Sequence, residues 1–449
     1  MLVVLVREAQ LVKKLLQRAR SRSDFWAKAF LSFTMRFGGL AFQFVGAIVV
    51  ARILGAEGFG AFTYATTWAI FIGMMLALGL GELSIREIPG YLARKTSGPI
   101  LGFLLTLGIT VSITGLIAVV GFSWAETSGI LILAPGWKLV AAMAVVHAVV
   151  LSLSHILNGF QRILTTQFLE TIVRQAIYLS LILLAVWAGT ELTPGRVVSL
   201  SIFAAFPIFC IMLIVAIRAW QNQELAAAKP EFHLNLWMAG ALPVFMTSFA
   251  NRLQLDLDVL MVGAMLTDYD VGIYRAAARG AMLISIANMI ALQIVGPMLS
   301  RALAEGQKEE AQRLLRQAAI VSFAAGIPII FALAVGANFY LGLFGPEFLA
   351  ARTSLWILLA SQATIVLAGA DAILLVMLRR ERLVMIVTTI GVALNFGLNY
   401  WLIQRWGIEG AAVGSLISMA FVRCVLVTSI LRTTRFNTTI AQLLFSRRN

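Results

Sequence analysis

The passage NRLQLDLDVLMVGAMLTDYDVGIYRAAAR (Asn251–Arg279) places charged side chains inside a long apolar run. Its first ten residues largely alternate apolar and polar positions, as a half-buried β-strand does. A lone strand cannot cross lipid, because its backbone amides and carbonyls would have no hydrogen-bond partners there. The choice between strand and helix therefore depends on whether the chain is surrounded by water or by lipid.

The composition of the chain favours lipid. Of its 449 residues, 60% are hydrophobic and 12% are charged, and the mean hydropathy is +0.91. Soluble domains carry about 25% charged residues. The net charge of +14 arises from short basic runs between apolar spans, so membrane topology explains it better than nucleic-acid binding does. Cys210 and Cys424 lie in apolar spans and imply no disulfide framework.

Twelve apolar segments are each long enough to cross about 30 Å of hydrocarbon as a helix of about 20 residues. We therefore expect an all-α polytopic membrane protein, with the segment Asn251–Leu260 helical. The predicted spans are 29–51, 61–83, 99–122, 138–157, 171–189, 197–217, 237–264, 272–297, 315–337, 351–373, 383–403 and 411–431.

The distribution of Lys and Arg predicts the orientation of these spans. Most basic residues fall in the two tails and in every second loop, whereas the opposite loops hold little beyond Arg52, Arg196 and Arg405. Cytoplasmic loops are the basic ones, so both termini are expected inside. Residues 1–28 have an apolar start followed by basic residues, which is the reverse of a secretory signal. This segment is either an interfacial amphipathic helix or a disordered basic tail.

A weak internal repeat divides the chain. VARILGAEGFGAFTYA (Val50–Ala65) aligns with VGAMLTDYDVGIYRAA (Val262–Ala277), with Gly60 on Gly272. Each copy ends one span and opens the next, which predicts two parallel six-helix halves around a central cavity, as in many transporters. The predicted organisation is a basic cytoplasmic segment 1–28, an N-terminal half 29–217, a cytoplasmic linker 218–236, a C-terminal half 237–431 and a basic cytoplasmic tail 432–449.

Four passages resemble the recurrent pattern of the polysaccharide transporter family, which contains the lipid-linked oligosaccharide (O-antigen-type) flippases and belongs to the multidrug/oligosaccharidyl-lipid/polysaccharide exporter superfamily. They follow one another in the expected order along the whole chain. Twelve spans also fit this family better than the lipid II flippases, which typically have two more. The passages are VVARILGAEGFGAFTYA, NRLQLDLDVLMVGAMLTDYDVGIYRAAAR, YLGLFGPEF and QRWGIEGAAVGSLIS.

This resemblance implies a flippase that moves a polyprenyl-pyrophosphate-linked glycan from the cytoplasmic to the outer leaflet of a bacterial-type inner (plasma) membrane. The glycan would serve O-antigen (lipopolysaccharide), capsule or exopolysaccharide synthesis. Membrane lipids, a polysaccharide polymerase and glycosyltransferases are the expected partners. A cation-coupled multidrug-type exporter on the same fold is the alternative, and Asp256, Asp258 and Asp371 could supply its acidic site.

No enzymatic function is predicted from the motifs of the chain. It has no phosphate-gripping Gly-x-x-x-x-Gly-Lys-[Ser/Thr] loop and no His-Glu-x-x-His or Cys-x-x-Cys pattern, so we expect no catalytic residues, no metal and no cofactor. His147 and His155 both lie on the fourth span. Packing or inter-helix hydrogen bonding is the first interpretation of these two, and lining of a cavity is the second.

Charges at membrane depth are the most informative residues, because each costs about 2.5–3.5 kcal/mol on insertion scales and is expected to face protein or water. An arginine-rich cavity could hold a pyrophosphate, since the guanidinium group stays charged and forks onto phosphate oxygens. The candidate substrate-binding residues are Arg36, Arg174, Arg252, Asp256, Asp258, Arg275, Arg279 and Asp371.

On a helix, Arg252 and Asp256 are four residues apart and close enough for a salt bridge. Asp258 lies nearer the outer surface, where it could pair with Arg275 or Arg279. Arg275 and Arg279 repel each other unless anions intervene. The sequence leaves open whether these residues form a structural network between the seventh and eighth spans or contact a substrate.

Overall fold

The computed structural model describes residues 2–128, 136–221, 229–434 and 436–440. The side chains of residues 2–33, 36–37, 286–287 and 290–294 lie outside the described part. The predicted amphipathic face of segment 1–28 and the side chain of Arg36 therefore fall outside it as well. Within the described ranges the chain is helical and contains no β-strand.

Fourteen α-helices form in the described part, together with a π-helical turn at Phe168–Val173 and a 3₁₀ turn at Pro346–Ala351. The helices are α1 Leu2–Ala77, α2 Leu80–Ala93, α3 Gly98–Thr127, α4 Trp137–Gly159, α5 Ile163–Gln167, α6 Arg174–Trp187, α7 Pro194–Gln221, α8 Leu234–Met265, α9 Asp268–Ala304, α10 Lys308–Val335, α11 Ala337–Gly342, α12 Arg352–Ala368, α13 Asp371–Met377 and α14 Glu381–Thr433.

Eight helical segments of the described residues are long and apolar enough to cross a membrane. Gly38–Ala77 overlaps the first two predicted spans, α14 contains the last two, and six further segments each overlap one predicted span. The two remaining predicted spans coincide with α8 and α9. All twelve predicted spans therefore overlap helices, with breaks inside the second and the tenth, and the predicted fold class is confirmed.

Two glycines explain how α1 and α14 can each contain two membrane spans. Gly55 in α1 has φ 69° and Gly407 in α14 has φ 57°, whereas the residues around them are helical. A left-handed residue breaks the helix direction, and glycine adopts this conformation without the steric penalty of a Cβ. Each glycine therefore marks a turn between two successive spans.

Residue contacts divide the chain into two compact units. The first unit contains residues 1–47 and 69–245, and the second contains residues 48–68 and 246–449. The limits differ from the predicted halves, because residues 48–68 group with the second unit and the start of α8 groups with the first. The division into two six-helix halves stays a prediction.

Within the second unit, the two copies of the internal repeat pack against each other through their aligned glycines. A Cβ on Gly60 would lie 2.8 Å from the backbone nitrogen of Gly272 and would overlap the carbonyl of Asp268. A Cβ on Gly272 would lie 3.1 Å from the nitrogen of Gly60 and would overlap the carbonyl of Ala56. Ala56 and Asp268 are themselves aligned in the repeat, so the contact is pseudo-symmetric.

We expect that adding a methyl group at this contact destabilises the protein. Gly60→Ala and Gly272→Ala should each lower the free energy of unfolding by about 1–3 kcal/mol, because rigid backbone atoms occupy the space. The measurement is the thermal unfolding midpoint of the purified protein in lipid nanodiscs. Gly108→Ala is the matched control, since a Cβ there meets nothing within 4 Å. Midpoints equal to that of the control would contradict the close glycine packing.

Candidate functional site

A buried carboxylate on α8 is held by two arginines in the second unit. Asp256 is 1% exposed, and its Oδ2 lies 2.5 Å from an Nη atom of Arg252 on the same helix. Its Oδ1 accepts a hydrogen bond of 2.8 Å from Nη1 of Arg275 on α9. The predicted Arg252–Asp256 pair is confirmed. The second arginine gives this three-residue cluster a net charge of +1.

The two arginines of the cluster differ in access. The side chain of Arg252 is 31% exposed, whereas that of Arg275 is 14% exposed. Both arginines keep a buried Nε atom without a hydrogen-bond partner among the described residues. The guanidinium groups therefore retain donor capacity after binding Asp256.

Asp258 forms a separate cluster that contains no arginine contact in the described part. Its carboxylate accepts hydrogen bonds from the Tyr274 hydroxyl (2.9 Å), from Nδ2 of Asn399 (2.7 Å) and from the Ser415 hydroxyl. The prediction that Asp258 pairs with Arg275 or Arg279 is therefore wrong. Arg275 is committed to Asp256, and α14 supplies neutral donors to Asp258 instead.

Arg279 lies one turn beyond Arg275 on α9 and approaches a tyrosine. Its charge acts on Tyr340 of α11, whose hydroxyl donates a 2.8 Å hydrogen bond to the carbonyl of Ala276. The ring of Tyr340 also fills the space beside Gly280, where a Cβ would lie 2.8 Å from the ring. Arg275 and Arg279 thus have different neighbours, which separates the two like charges.

The four passages that carry the family resemblance meet in the second unit. Arg52 of the first passage donates hydrogen bonds to the carbonyls of Leu343 (2.7 Å) and Gly342 (2.9 Å) in the third. The hydroxyl of Tyr340 in the third reaches the second passage. Ser415 of the fourth passage reaches the second through Asp258. Segments distant in sequence therefore build one packed region around the charged residues.

Arg174 and Asp371, two further predicted site residues, have other partners. Arg174 begins α6 in the first unit, and its charge acts on Glu170 in the π-helical turn. Glu170 accepts a hydrogen bond from the hydroxyl of Ser154. Asp371 begins α13, is 1% exposed and accepts a 2.9 Å hydrogen bond from Nη1 of Arg423.

Several polar residues of these clusters were not predicted from the sequence. Asn399, Ser415 and Tyr274 surround Asp258, and Glu170 accompanies Arg174. The sequence contains one indication of the cluster around Asp258. Asn395 and Asn399 are four residues apart in an apolar span, and Nδ2 of Asn399 donates to Oδ1 of Asn395 at 3.1 Å. Amides at this spacing in lipid mark an inward face.

The sequence matches two family models. The model described as "Polysaccharide biosynthesis protein" matches residues 25–303, and the model described as "MatE" matches residues 243–401. A curated relative, the "Probable low-salt glycan biosynthesis flippase" of Haloferax volcanii, is 29% identical over 168 residues. The aligned part covers 36% of this chain and only 35% of that relative, so this likeness concerns about a third of each protein.

Solved transporter structures share the fold. An inward-facing multidrug resistance MATE family transporter of the MOP superfamily superposes with a TM-score of 0.68 at 14% identity, covering 91% of this chain and 96% of that one. The lipid II flippase MurJ in an inward closed conformation also gives a TM-score of 0.68, at 15% identity, covering 90% and 87%. These proteins are transporters and flippases, not enzymes. The chain is thus a multi-pass membrane protein with this transporter fold.

We expect that the Asp256 cluster stabilises the fold unequally through its two arginines. Arg275→Gln should cost about 1–3 kcal/mol of unfolding free energy, because it withdraws the less exposed partner from a buried carboxylate. Arg252→Gln should cost less, since that side chain is more exposed. The measurement is a thermal unfolding series in nanodiscs that includes Asp256→Asn and the double variant Asp256→Asn/Arg275→Gln. Strictly additive losses for that pair would show that the contact contributes nothing.

Proposed function

The chain belongs to the polysaccharide biosynthesis protein family, and on that premise we propose that it is a flippase for a polyprenyl-pyrophosphate-linked oligosaccharide. It moves this lipid from the cytoplasmic to the outer leaflet of a bacterial-type inner membrane, by alternating access of its two halves. The product serves cell-surface polysaccharide biosynthesis, such as that of lipopolysaccharide. The Haloferax volcanii relative, described as a glycan biosynthesis flippase, supports the choice of a glycan.

One observation carries this proposal: the ion-pair cluster between α8 and α9 carries an excess positive charge. Arg252 and Arg275 share the single carboxylate of Asp256, and Arg279 adds a further positive charge. A pyrophosphate cannot enter hydrocarbon without compensation of its charge. Arginine keeps its charge when buried and donates two parallel hydrogen bonds to the oxygens of one phosphate group. This cluster therefore suits a pyrophosphate better than a cationic drug.

The difference in exposure between the two arginines suggests how a substrate is exchanged. Arg252 is the more exposed, so phosphate oxygens reach it first and replace Asp256 as its partner. Arg275 meanwhile keeps Asp256 neutralised, which avoids leaving a bare carboxylate in the apolar region. Release of the pyrophosphate returns Arg252 to Asp256. An inside-negative membrane potential favours outward movement of the anion by about 2.3 kcal/mol per charge per 100 mV.

The remaining predicted site residues have different roles in this proposal. Arg36 and Arg174 stay predicted substrate contacts. Asp371 is occupied by Arg423, and we assign it a structural part. The polyprenyl tail stays among membrane lipids while the head group passes. A polymerase and glycosyltransferases act after and before this step, respectively.

A second function is favoured by the surroundings of Asp258. Only neutral donors contact its carboxylate in the described part of the chain, so a cation or a proton could bind there. A cation-coupled exporter of small amphipathic drugs needs such a carboxylate. The same residue is also compatible with a cation-coupled flippase, so Asp258 does not by itself separate the two functions.

Reconstitution separates the two functions. The purified protein is inserted into liposomes that contain either a fluorescently labelled polyprenyl-pyrophosphate glycan or an entrapped cationic dye. We expect the glycan to change leaflet, as detected by its accessibility to a membrane-impermeant quencher, and the dye to stay in place. Dye movement with an immobile glycan would establish the exporter and overturn the flippase.

Within this assay, the arginine cluster should control the rate of glycan movement. Arg252→Gln, Arg275→Gln and Arg279→Gln should each slow this movement by about tenfold or more, because each variant loses at least one hydrogen bond from a charged group to the phosphate. Arg275→Lys, which keeps the charge, should retain more activity than Arg275→Gln. Arg301→Gln is the control, because Arg301 lies at the end of α9 and pairs with Glu305 on the surface. Normal rates in all three glutamine variants would leave these arginines a structural part only.

A further inference from the structure

The second predicted span is interrupted near its Arg86 end. α1 ends at Ala77 and α2 begins at Leu80, and the two residues between them have positive φ, 48° for Leu78 and 76° for Gly79. The first turn of α2 therefore lies within an apolar span, and the first N–H groups of a helix have no partner in their own helix. Irregular backbone at membrane depth occurs where protein buries it or where water reaches it.

Neighbouring hydroxyl groups satisfy part of the backbone around this break. The Thr114 hydroxyl on α3 donates a 2.8 Å hydrogen bond to the carbonyl of Leu76 at the end of α1. The Ser84 hydroxyl donates a 2.6 Å hydrogen bond to the carbonyl of Gly81. These bonds account for carbonyl oxygens only, and the polar groups on the opposite side of the break come from α4.

Three polar atoms of α4 are buried without a hydrogen-bond partner among the described residues: Oγ of Ser152, Nδ1 of His155 and Oδ1 of Asn158. Their spacing of three residues places them on one side of the helix. Ser152 is only 5% exposed. A Cβ on Gly81 would lie 3.1 Å from Nδ1 of His155 and 3.5 Å from Oγ of Ser152, so both atoms point at the first turn of α2.

Glu82, the next residue of α2, supplies a charge at this place. It lies in the first turn of that helix, and its carboxylate acts electrostatically on His155. Helices α2, α3, α5 and α7 pack against α4. Three of the other ionisable groups on the described parts of these elements and the adjoining π-helical turn have partners of their own: Arg86 pairs with Glu87, Tyr91 accepts a hydrogen bond from Trp237, and Glu170 accepts one from Ser154. The rest are Glu126, Lys138, His147, Arg162, Arg196, Cys210 and Arg218.

We propose that the break in the second span is a proton-binding site, in which His155 and Glu82 exchange a proton with water held by Ser152 and Asn158. Buried polar atoms without partners indicate ordered water or an ion, and such a water needs two to four polar neighbours. A proton from the bulk solution is relayed by this water to Nδ1 of the imidazole and returns by the same route, and the carboxylate of Glu82 balances the charge of the protonated ring. No other reactant is consumed.

This site belongs to the first unit and shares no residue with the arginine cluster of the second. Its existence therefore does not depend on which substrate the protein moves. Glu82 and His155 lie near the ends of their predicted spans, but Nδ1 of His155 is buried without a hydrogen-bond partner among the described residues, and such a group is costly unless it has a use beyond packing. Binding and loss of a proton at the break would give the first unit two states with different hydrogen bonding around the first turn of α2.

The three histidines of the chain make a direct test possible. The full-length protein is labelled with ¹⁵N-histidine, placed in nanodiscs and followed by NMR, with His147→Gln and His233→Gln identifying the His155 signal by elimination. We expect that signal to change between its neutral and charged forms between about pH 5 and pH 8. Glu82→Gln should displace the midpoint by at least about half a pH unit, a threefold change in proton affinity. A signal that keeps one form throughout, or an unchanged midpoint in Glu82→Gln, overturns the proposal.

Hydrogen exchange of the backbone provides the second readout. After correction for the intrinsic effect of pH, the amides of residues 76–83 should exchange at rates that differ at least about threefold between the two ends of the His155 titration. His147→Gln, on the same helix, should keep this difference, and His155→Gln should lose it. Equal pH dependence in the two variants overturns the proposal. Where His155→Gln does not fold, the wild-type and Glu82→Gln titrations decide.

Discussion

A carboxylate buried in an apolar bundle must be accompanied by its neutralising charge, and this requirement organises the region around Asp256. Arg252 reaches it from the same helix and Arg275 from the next one. Removal of both arginines would leave the carboxylate uncompensated in a medium of low dielectric. The relative position of α8 and α9 is therefore constrained by electrostatics as well as by packing.

Helix α9 is also held by close backbone contact with α1. Gly60 and Gly272 occupy equivalent places in the repeat and approach each other without any side chain between them. Phe59 packs beside this contact on Phe344 and Phe348, with ring centroids 6.3 and 6.0 Å apart. The contact between α1 and α9 is therefore set by backbone atoms rather than by flexible side chains.

Predictions from the sequence succeeded where the partners were close along the chain. The Arg252–Asp256 pair follows from four-residue spacing on a helix, and the twelve spans follow from apolar segment length. The pairing of Asp258 was wrong because its donors Asn399 and Ser415 are 141 and 157 residues away. Arg423, the partner of Asp371, is 52 residues away and was likewise not identified from the sequence. Spacing along one helix carries no information about which distant helix packs beside it.

The sequence by itself determined that the chain is an all-α membrane protein, that Asn251–Leu260 is helical, and that charges lie at membrane depth. These conclusions need only the helical period and the cost of unpaired polar groups in lipid. Only the tertiary structure decided that Asp256 binds two arginines, that Asp258 binds neutral donors, and that His155 faces the break between α1 and α2. Those contacts depend on the packing of helices far apart in sequence, where a shift of one turn would exchange every partner.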